Sequence, residues 1–313
     1  MVKALVIGVS GQVGSNLKRA CEAKGVKVYG ADINPARENL YVDIARPDSA
    51  RSAFEAAEPE IVFLCAAMTH VDGCEKDPAL AEKINAGGAE ITADCCRRSG
   101  SKLVYLSTEY VFDGKKGPYS ETDSPNPISV YGQTKLQGER LALALDGALS
   151  IRTTVVYGYA PGEKNFLMQL LGAAKSAADS ARGQRQASVT HGKMRVPKDQ
   201  YSNPTFAPEL AEFILELALK NKSGIYNVVG SERLDRYSFA LKVCEILGLG
   251  AGFLEPALTK ELGQTAARPL CAGLKTDKLM SELGRVPSGA SDSLRIIKEL
   301  ITAQVHGSVV EEV

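Results

Sequence analysis

The stretch Val2–Lys3–Ala4–Leu5–Val6–Ile7–Gly8–Val9–Ser10–Gly11–Gln12–Val13–Gly14 decides the fold. A short apolar run closed by a glycine reads as a buried strand. Gln12–Lys24 then carries Val13, Leu17, Ala20 and Cys21 on one helical face, and Gly25 stops it. Strand, glycine-rich turn and helix in that order let backbone N–H groups approach a phosphate, with the positive end of the helix behind them. The spacing is GxxGxxG rather than GxGxxG, so context carries the reading more than the motif does. Gly8, Gly11, Gln12, Val13 and Gly14 are candidates for holding a dinucleotide pyrophosphate.

Outward from that unit, Val26–Ala31 is a second short strand, and Asp32 ends it. A carboxylate there accepts from both hydroxyls of an adenosine ribose and repels a 2′-phosphate, which predicts NAD(H). Arg37, five residues on, leaves NADP(H) open. The pattern continues with Asn39–Val42, a helix over Pro47–Ala57, a strand over Ile61–Ala67 and one long helix over Pro78–Arg98. A strand at Lys102–Leu106, a helix over Val130–Leu145 and a strand at Leu149–Val156 follow. Strands as apolar as Ile61–Ala67 must be covered on both faces, as in parallel sheets. The expectation is an α/β fold: a Rossmann-type doubly wound parallel sheet with a smaller C-terminal substrate lobe. Residues 1–157 form the dinucleotide-binding domain, and residues 158–313 form the lobe, interleaved with the last sheet elements. In that half, Asn165–Ala178, Tyr237–Leu247 and Thr276–Leu283 read as helices. Pro208–Leu219 and Gly224–Val229 carry a helix and a strand, and the tail from Gln304 reads as frayed.

Composition narrows the function classes. The 313 residues are 44% hydrophobic and 24% charged, so a packed core is expected rather than disorder. Lys and Arg balance Asp and Glu, 37 against 37, which gives no global field for nucleic acid or an anionic membrane. The three histidines are dispersed and no metal site is expected. Seven cysteines without a CxxC pair, two of them adjacent at Cys95–Cys96, point to a reducing, cytoplasmic setting. Met1–Ala4 runs straight into the first strand, without the pattern of a secretory signal.

The chemistry is carried by Tyr131–Gly132–Gln133–Thr134–Lys135, which places a phenol and an ammonium one helical turn apart. A nearby cation is expected to lower the Tyr131 pKa and make it a usable acid for a carbonyl oxygen. Ser107–Thr108 ends the preceding strand, where the Thr108 hydroxyl can hold the same oxygen.

These residues resemble the extended branch of the short-chain dehydrogenase/reductases over nearly the whole chain. Gly8–Gly14, Asp32, Asp43–Ile44, Cys65–Ala66–Ala67, Asn85, Thr108, Tyr131 and Lys135 fall in that family's order. The resemblance implies that Asp43 and Ile44 flank the adenine and that Ala66 and Ala67 line the cofactor cleft. Within the branch, Ser107–Thr108–Glu109–Tyr110–Val111–Phe112–Asp113–Gly114, Pro118–Tyr119, Asp199–Gln200, Gly224–Ile225–Tyr226–Asn227 and Arg268–Pro269 resemble the dTDP-4-dehydrorhamnose reductases. That likeness implies NAD(P)H-dependent reduction of a nucleotide-linked 4-keto-6-deoxy sugar, with Thr108, Tyr131 and Lys135 catalytic. It places Val71, Glu109, Asn165, Phe166 and Arg268 at the substrate, and leaves a homodimer open.

The chain departs from the family pattern at several places. Sugar dehydratases set an Asp–Glu pair after the Thr; here Glu109–Tyr110 lacks the second carboxylate, which disfavours dehydration. The reductases often have Asp at Glu109 and Trp at or beside Val155. Asn16 replaces a Glu that in some relatives shares a metal. Residues about 172–196 are longer than usual and hold Arg182, Arg185, His191, Lys193 and Arg195, cations able to grip a diphosphate. The regulatory β subunit of methionine adenosyltransferase shares the dinucleotide site and the Tyr/Lys pair, so a non-catalytic NAD(P)-binding subunit is the second reading. A nucleotide-sugar epimerase is the third.

Overall fold

The computed structural model describes residues 1–160, 165–181 and 193–305. In chain order the first half runs β1 (Lys3–Ile7), α1 (Gln12–Ala23), β2 (Lys27–Asp32), β3 (Leu40–Tyr41), α2 (Pro47–Ala57), β4 (Ile61–Leu64), α3 (Val71–Lys76) and α4 (Pro78–Glu82). A π-helical turn at Lys83–Gly87 leads into α5 (Gly88–Ser99), β5 (Lys102–Thr108), α6 (Val130–Leu143), β6 (Leu149–Thr153) and β7 (Val156–Tyr157). The second half contributes α7 (Phe166–Ala181), β8 (Met194–Pro197), β9 (Tyr201–Ser202), β10 (Thr205–Phe206), α8 (Ala207–Leu219), β11 (Gly224–Asn227) and β12 (Leu234–Asp235). It continues with α9 (Arg236–Leu247), β13 (Leu254–Ala257), α10 (Asp277–Leu283) and α11 (Ala290–Val305).

Seven strands form one parallel sheet in the order β11-β6-β5-β4-β1-β2-β3. The chain leaves β1 to one side for β2 and β3 and to the other for β4 onward. The order therefore reverses between β1 and β4, the place where open α/β sheets bind ligands. Both faces are covered, which explains the unbroken apolar run of the strands. On one face Val13, Leu17 and Cys21 of α1 meet Leu210, Phe213, Ile214 and Leu217 of α8. On the other, Phe54 of α2, Ala89, Ala93 and Cys96 of α5 and Ala142 of α6 pack on Leu5, Val62 and Leu103. A third core joins Leu167 and Leu170 of α7, Phe239 and Val243 of α9 and Leu294 and Ile297 of α11 to Tyr157; this is the lobe.

Three local expectations are corrected. The strand from Ile61 ends at Leu64, because the Cys65 and Ala66 N–H groups both turn onto the Ile7 carbonyl (2.9 and 3.0 Å) and close the ladder. The long helix from Pro78 is broken by the π-turn, which swings Asn85 inward. The strand from Leu149 splits after Thr153, where Val155 adopts φ +44° and redirects the chain into β7. The second half also contributes β11 to the sheet and α8 to its cover. The cations expected at 182, 185 and 191, like the tail from 306, lie outside the described residues. Among the described residues no helix is long and apolar enough to cross a membrane.

Candidate active site

A cleft of about 750 Å³ opens at the carboxyl ends of β1, β2, β4 and β5. Its floor is the turn after β1. Gly8 has φ +89°, and a Cβ there would stand 2.6 Å from the Ala66 nitrogen; a Cβ on Gly14 would stand 2.1 Å from the Gly8 carbonyl oxygen. Glycine is required at both positions because backbone meets backbone. Gly11 occupies the N-cap of α1 with no side chain bonding its first turn, so the N–H end of the helix opens into the cleft beside Gln12, Val13 and Gly14. That arrangement fits a pyrophosphate. Asp32 lines the same cleft; its carboxylate accepts from Ser10 N (3.1 Å) and Ile33 N (2.8 Å). Two further hydroxyls, Ser107 Oγ and Thr153 Oγ1, line the cleft buried and without a partner among the described residues. They are polar atoms that a bound group can satisfy.

Thr108, Tyr131 and Lys135 converge on this cleft. Thr108 ends β5, and its side chain accepts from Tyr110 N (3.2 Å). Ser129 caps α6, and the helix carries Tyr131 and Lys135 on one face. Lys135 Nζ donates to the Leu106 carbonyl (2.6 Å) and lies 4.2 Å over the Tyr105 ring. Tyr110 meets Tyr131 edge to face at 5.4 Å. Asn85 fixes this wall: its amide accepts from Met68 N (2.8 Å) and donates to Met68 O (3.2 Å) and Thr134 Oγ1 (3.1 Å), tying the loop after β4 to α6.

The electrostatics differ from the expectation of a phenol held low by the lysine. Burial pushes the Tyr131 phenol above its usual range, against hydrogen bonding with Thr108 that pulls it down. Burial also lowers Lys135 to about 7, with Glu139 and Cys65 holding it up. Desolvation dominates, so Tyr131 keeps its proton, the form a proton donor needs. Burial raises the Cys65 thiol to about 12, which leaves it unreactive at neutral pH.

Of the other sequence candidates, Ala66, Ala67 and Val71 line the cleft. Asp43 and Ile44 do not. Asp43 accepts from Ala45 N (3.0 Å), and Ile44 is buried in the core. Glu109 turns away into the protein: one carboxylate oxygen accepts from Thr154 Oγ1 and the other from Gly273 N (2.9 Å). Burial raises it to about 7 against those bonds and the Arg236 and Arg233 charges. Asn165 and Phe166 do not line the cleft: Asn165 is buried and bonds the Gly158 carbonyl, Phe166 packs on the lobe core, and Arg268 is paired with Asp72 at 3.0 Å. Cleft residues missed from the sequence include Tyr110, Thr154 and Arg236. Arg236 opens α9, lines the cleft and lies 5.3 Å over the Phe166 ring. No local motif marks it; only tertiary folding brings it there. Among the described residues no group of three His, Cys, Asp or Glu side chains is placed to hold a metal.

Comparison with known proteins gives this site a family. The RmlD substrate binding domain family matches residues 2–300. The chain is 35% identical over 297 residues to the spore coat polysaccharide biosynthesis protein SpsK of Bacillus subtilis, covering 94% of this chain and 96% of that one. It is 34% identical over 251 residues to a dTDP-4-dehydrorhamnose reductase of Burkholderia thailandensis, covering 76% of each. A solved dTDP-4-dehydrorhamnose reductase of Bacillus anthracis, in complex with NADP, superposes with a TM-score of 0.83 at 28% identity, over 95% of this chain and 99% of that one. With the glycine turn, Thr108, Tyr131 and Lys135 in one cleft, the chain belongs to the RmlD substrate binding domain family.

Proposed function

We propose that the protein is a nicotinamide-dependent reductase of a nucleotide-linked 4-keto-6-deoxy sugar. The observation that carries the reading is the convergence of the α1 N-terminus and of Thr108, Tyr131 and Lys135 on one cleft. Gly8, Gly11, Gln12, Val13 and Gly14 hold the pyrophosphate, and Asp32 accepts from the adenosine ribose, which favours NAD(H). The NADP complex of the Bacillus anthracis relative keeps NADP(H) as the other arm of the test. When bound, the dinucleotide supplies hydride to the carbonyl carbon. Tyr131 donates the matching proton to the carbonyl oxygen, so one C–H and one O–H bond form as the C=O π bond is lost. Thr108 hydrogen-bonds the same oxygen, where negative charge develops, and Lys135 holds the nicotinamide ribose. The seven cysteines are free thiols, which agrees with a reducing, cytoplasmic setting.

The test is oxidation of NADH and NADPH against a panel of nucleotide-linked 4-keto-6-deoxy sugars. Turnover on a panel member supports the reading. Tight dinucleotide binding with no turnover on any member replaces it with the non-catalytic subunit.

A further inference from the structure

The amide of Gln12 joins the dinucleotide turn to the lobe. Gln12 is the first residue of α1 and lines the cleft. Its Nε2 donates to the Val156 carbonyl (3.2 Å), while its Oε1 accepts from Gly158 N (2.8 Å) and from Asn165 Nδ2 (3.1 Å). Asn165 is buried, and both its N–H donors and its amide oxygen are paired inside the protein. Its Nδ2 also donates to the Gly158 carbonyl (3.0 Å), and its Oδ1 accepts from Met168 N (3.1 Å), closing the first turn of α7. Two residues further, Leu167 is buried in the lobe core, and Phe166 carries Arg236 over its ring at 5.3 Å and Phe239 at 5.9 Å. A continuous set of contacts thus runs from the turn at Gly11–Gln12 through Asn165 and Phe166 to Arg236, which faces the cleft again.

We infer that Gln12 and Asn165 form a latch through which an occupied dinucleotide turn fixes α7, and with it Phe166, which backs the Arg236 side chain that faces the nucleotide sugar. The latch acts by position: neither amide touches a reacting atom. Asn165 is buried and Gln12 half-buried, so breaking their mutual hydrogen bond leaves a buried amide donor unpaired, which is costly. Its effect on sugar-nucleotide binding rests on the function proposed above; its effect on α7 does not.

The experiment uses the full chain in two arms. In the first, hydrogen exchange of the amides at the start of α7 is followed with and without saturating NADH, with NADPH in parallel. In the second, dTDP binding is titrated with and without the same dinucleotide. Asn165→Asp keeps the acceptor that caps α7 and removes both donors. A residue that only caps the helix would therefore leave this variant like the parent. The parent is expected to slow α7 exchange and to tighten dTDP about 5- to 20-fold when the dinucleotide is bound, the usual size of coupling between sites. Asn165→Asp loses both responses while its own dinucleotide Kd moves by less than about threefold. Gln12→Met cuts the same bridge from the other side, and the double variant loses no more coupling than either single one. Parent exchange that ignores the dinucleotide, or an Asn165→Asp response equal to the parent's, overturns the latch. If dTDP binds under neither condition, the sugar-nucleotide reading fails and the exchange arm alone decides the latch.

Discussion

Replacing Gly14 and Gly11 by alanine separates what the turn does for the fold from what it does for the ligand. A methyl on Gly14 would stand 2.1 Å from the Gly8 carbonyl oxygen, 2.8 Å from its carbon and 2.9 Å from Val9 Cα. Against an ordinary contact of 3.4 Å the shortfall at the oxygen is 3.4 − 2.1 = 1.3 Å, and the obstacles are all backbone. No rotamer relieves it. Either the turn or the first turn of α1 must move, and overpacking of this kind costs about 1–3 kcal/mol or more. The same movement displaces the N–H groups that face the cleft. Gly14→Ala should therefore lose about 3 kcal/mol of stability and weaken the dinucleotide by about a hundredfold. Gly11 is different. Its φ of −81° suits any residue, and a Cβ there would meet only Gly8 O at 3.4 Å. Gly11→Ala should cost under about 1 kcal/mol in stability, the scale of an N-cap change. Its methyl still enters the cleft and should weaken the dinucleotide about tenfold. Urea denaturation and NADH fluorescence titration read the two effects apart. A Gly14→Ala protein as stable and as tight as the parent, or a Gly11→Ala protein as unstable as Gly14→Ala, would refute the reasoning.

Three other outcomes follow from the site. Tyr131→Phe keeps the ring against Tyr110 but removes the proton, so kcat should fall by about 10²–10⁴ with dinucleotide Kd nearly unchanged, by single-turnover kinetics and titration. Asp32→Ala should weaken NADH by about 1–3 kcal/mol and narrow its margin over NADPH; a parent that prefers NADPH contradicts the ribose assignment. Glu109 has a folded pKa of about 7 against an ordinary carboxylate value of 4.5. Between those values the native state holds a proton that the unfolded chain has lost, so its contribution falls as pH rises through that window. The total is about 3 kcal/mol, and Glu109→Gln should flatten the stability curve there, by urea midpoints at pH 4.5 to 7.5.

The sequence made the sheet and the Tyr131–Lys135 face legible because their signals are local. Gly8–Gly14 is a turn that backbone sterics alone require, and Tyr131 and Lys135 meet because one helical turn separates them. Parts of the site were not legible for the opposite reason. Arg236 reaches the cleft from the second half of the chain by tertiary folding, and Glu109 looks like a cleft acid in sequence but turns inward onto Thr154 and Gly273. The Tyr131 pKa runs opposite to what the lysine spacing suggests because burial, which spacing does not reveal, pushes the phenol up. The π-turn at Lys83–Gly87 is likewise invisible to a periodicity of 3.6, yet it aims Asn85 at Met68 and Thr134. No element is expected beyond Leu283 from the pattern, although Ala290, Leu294, Ile297 and Ile301 form a readable stripe on α11.

Hydride transfer onto a sugar carbonyl in this cleft can be followed with an isotope. The most direct measurement incubates the protein with a nucleotide-linked 4-keto-6-deoxy sugar and nicotinamide dinucleotide carrying deuterium at the transferable position, and reads the product by mass spectrometry and NMR. The expected result is one deuterium on the sugar carbon that bore the carbonyl, one equivalent of oxidised dinucleotide per alcohol formed, and loss of both in Tyr131→Phe. A bound, unoxidised dinucleotide beside an unchanged keto sugar, or an alcohol that forms without deuterium, would contradict it.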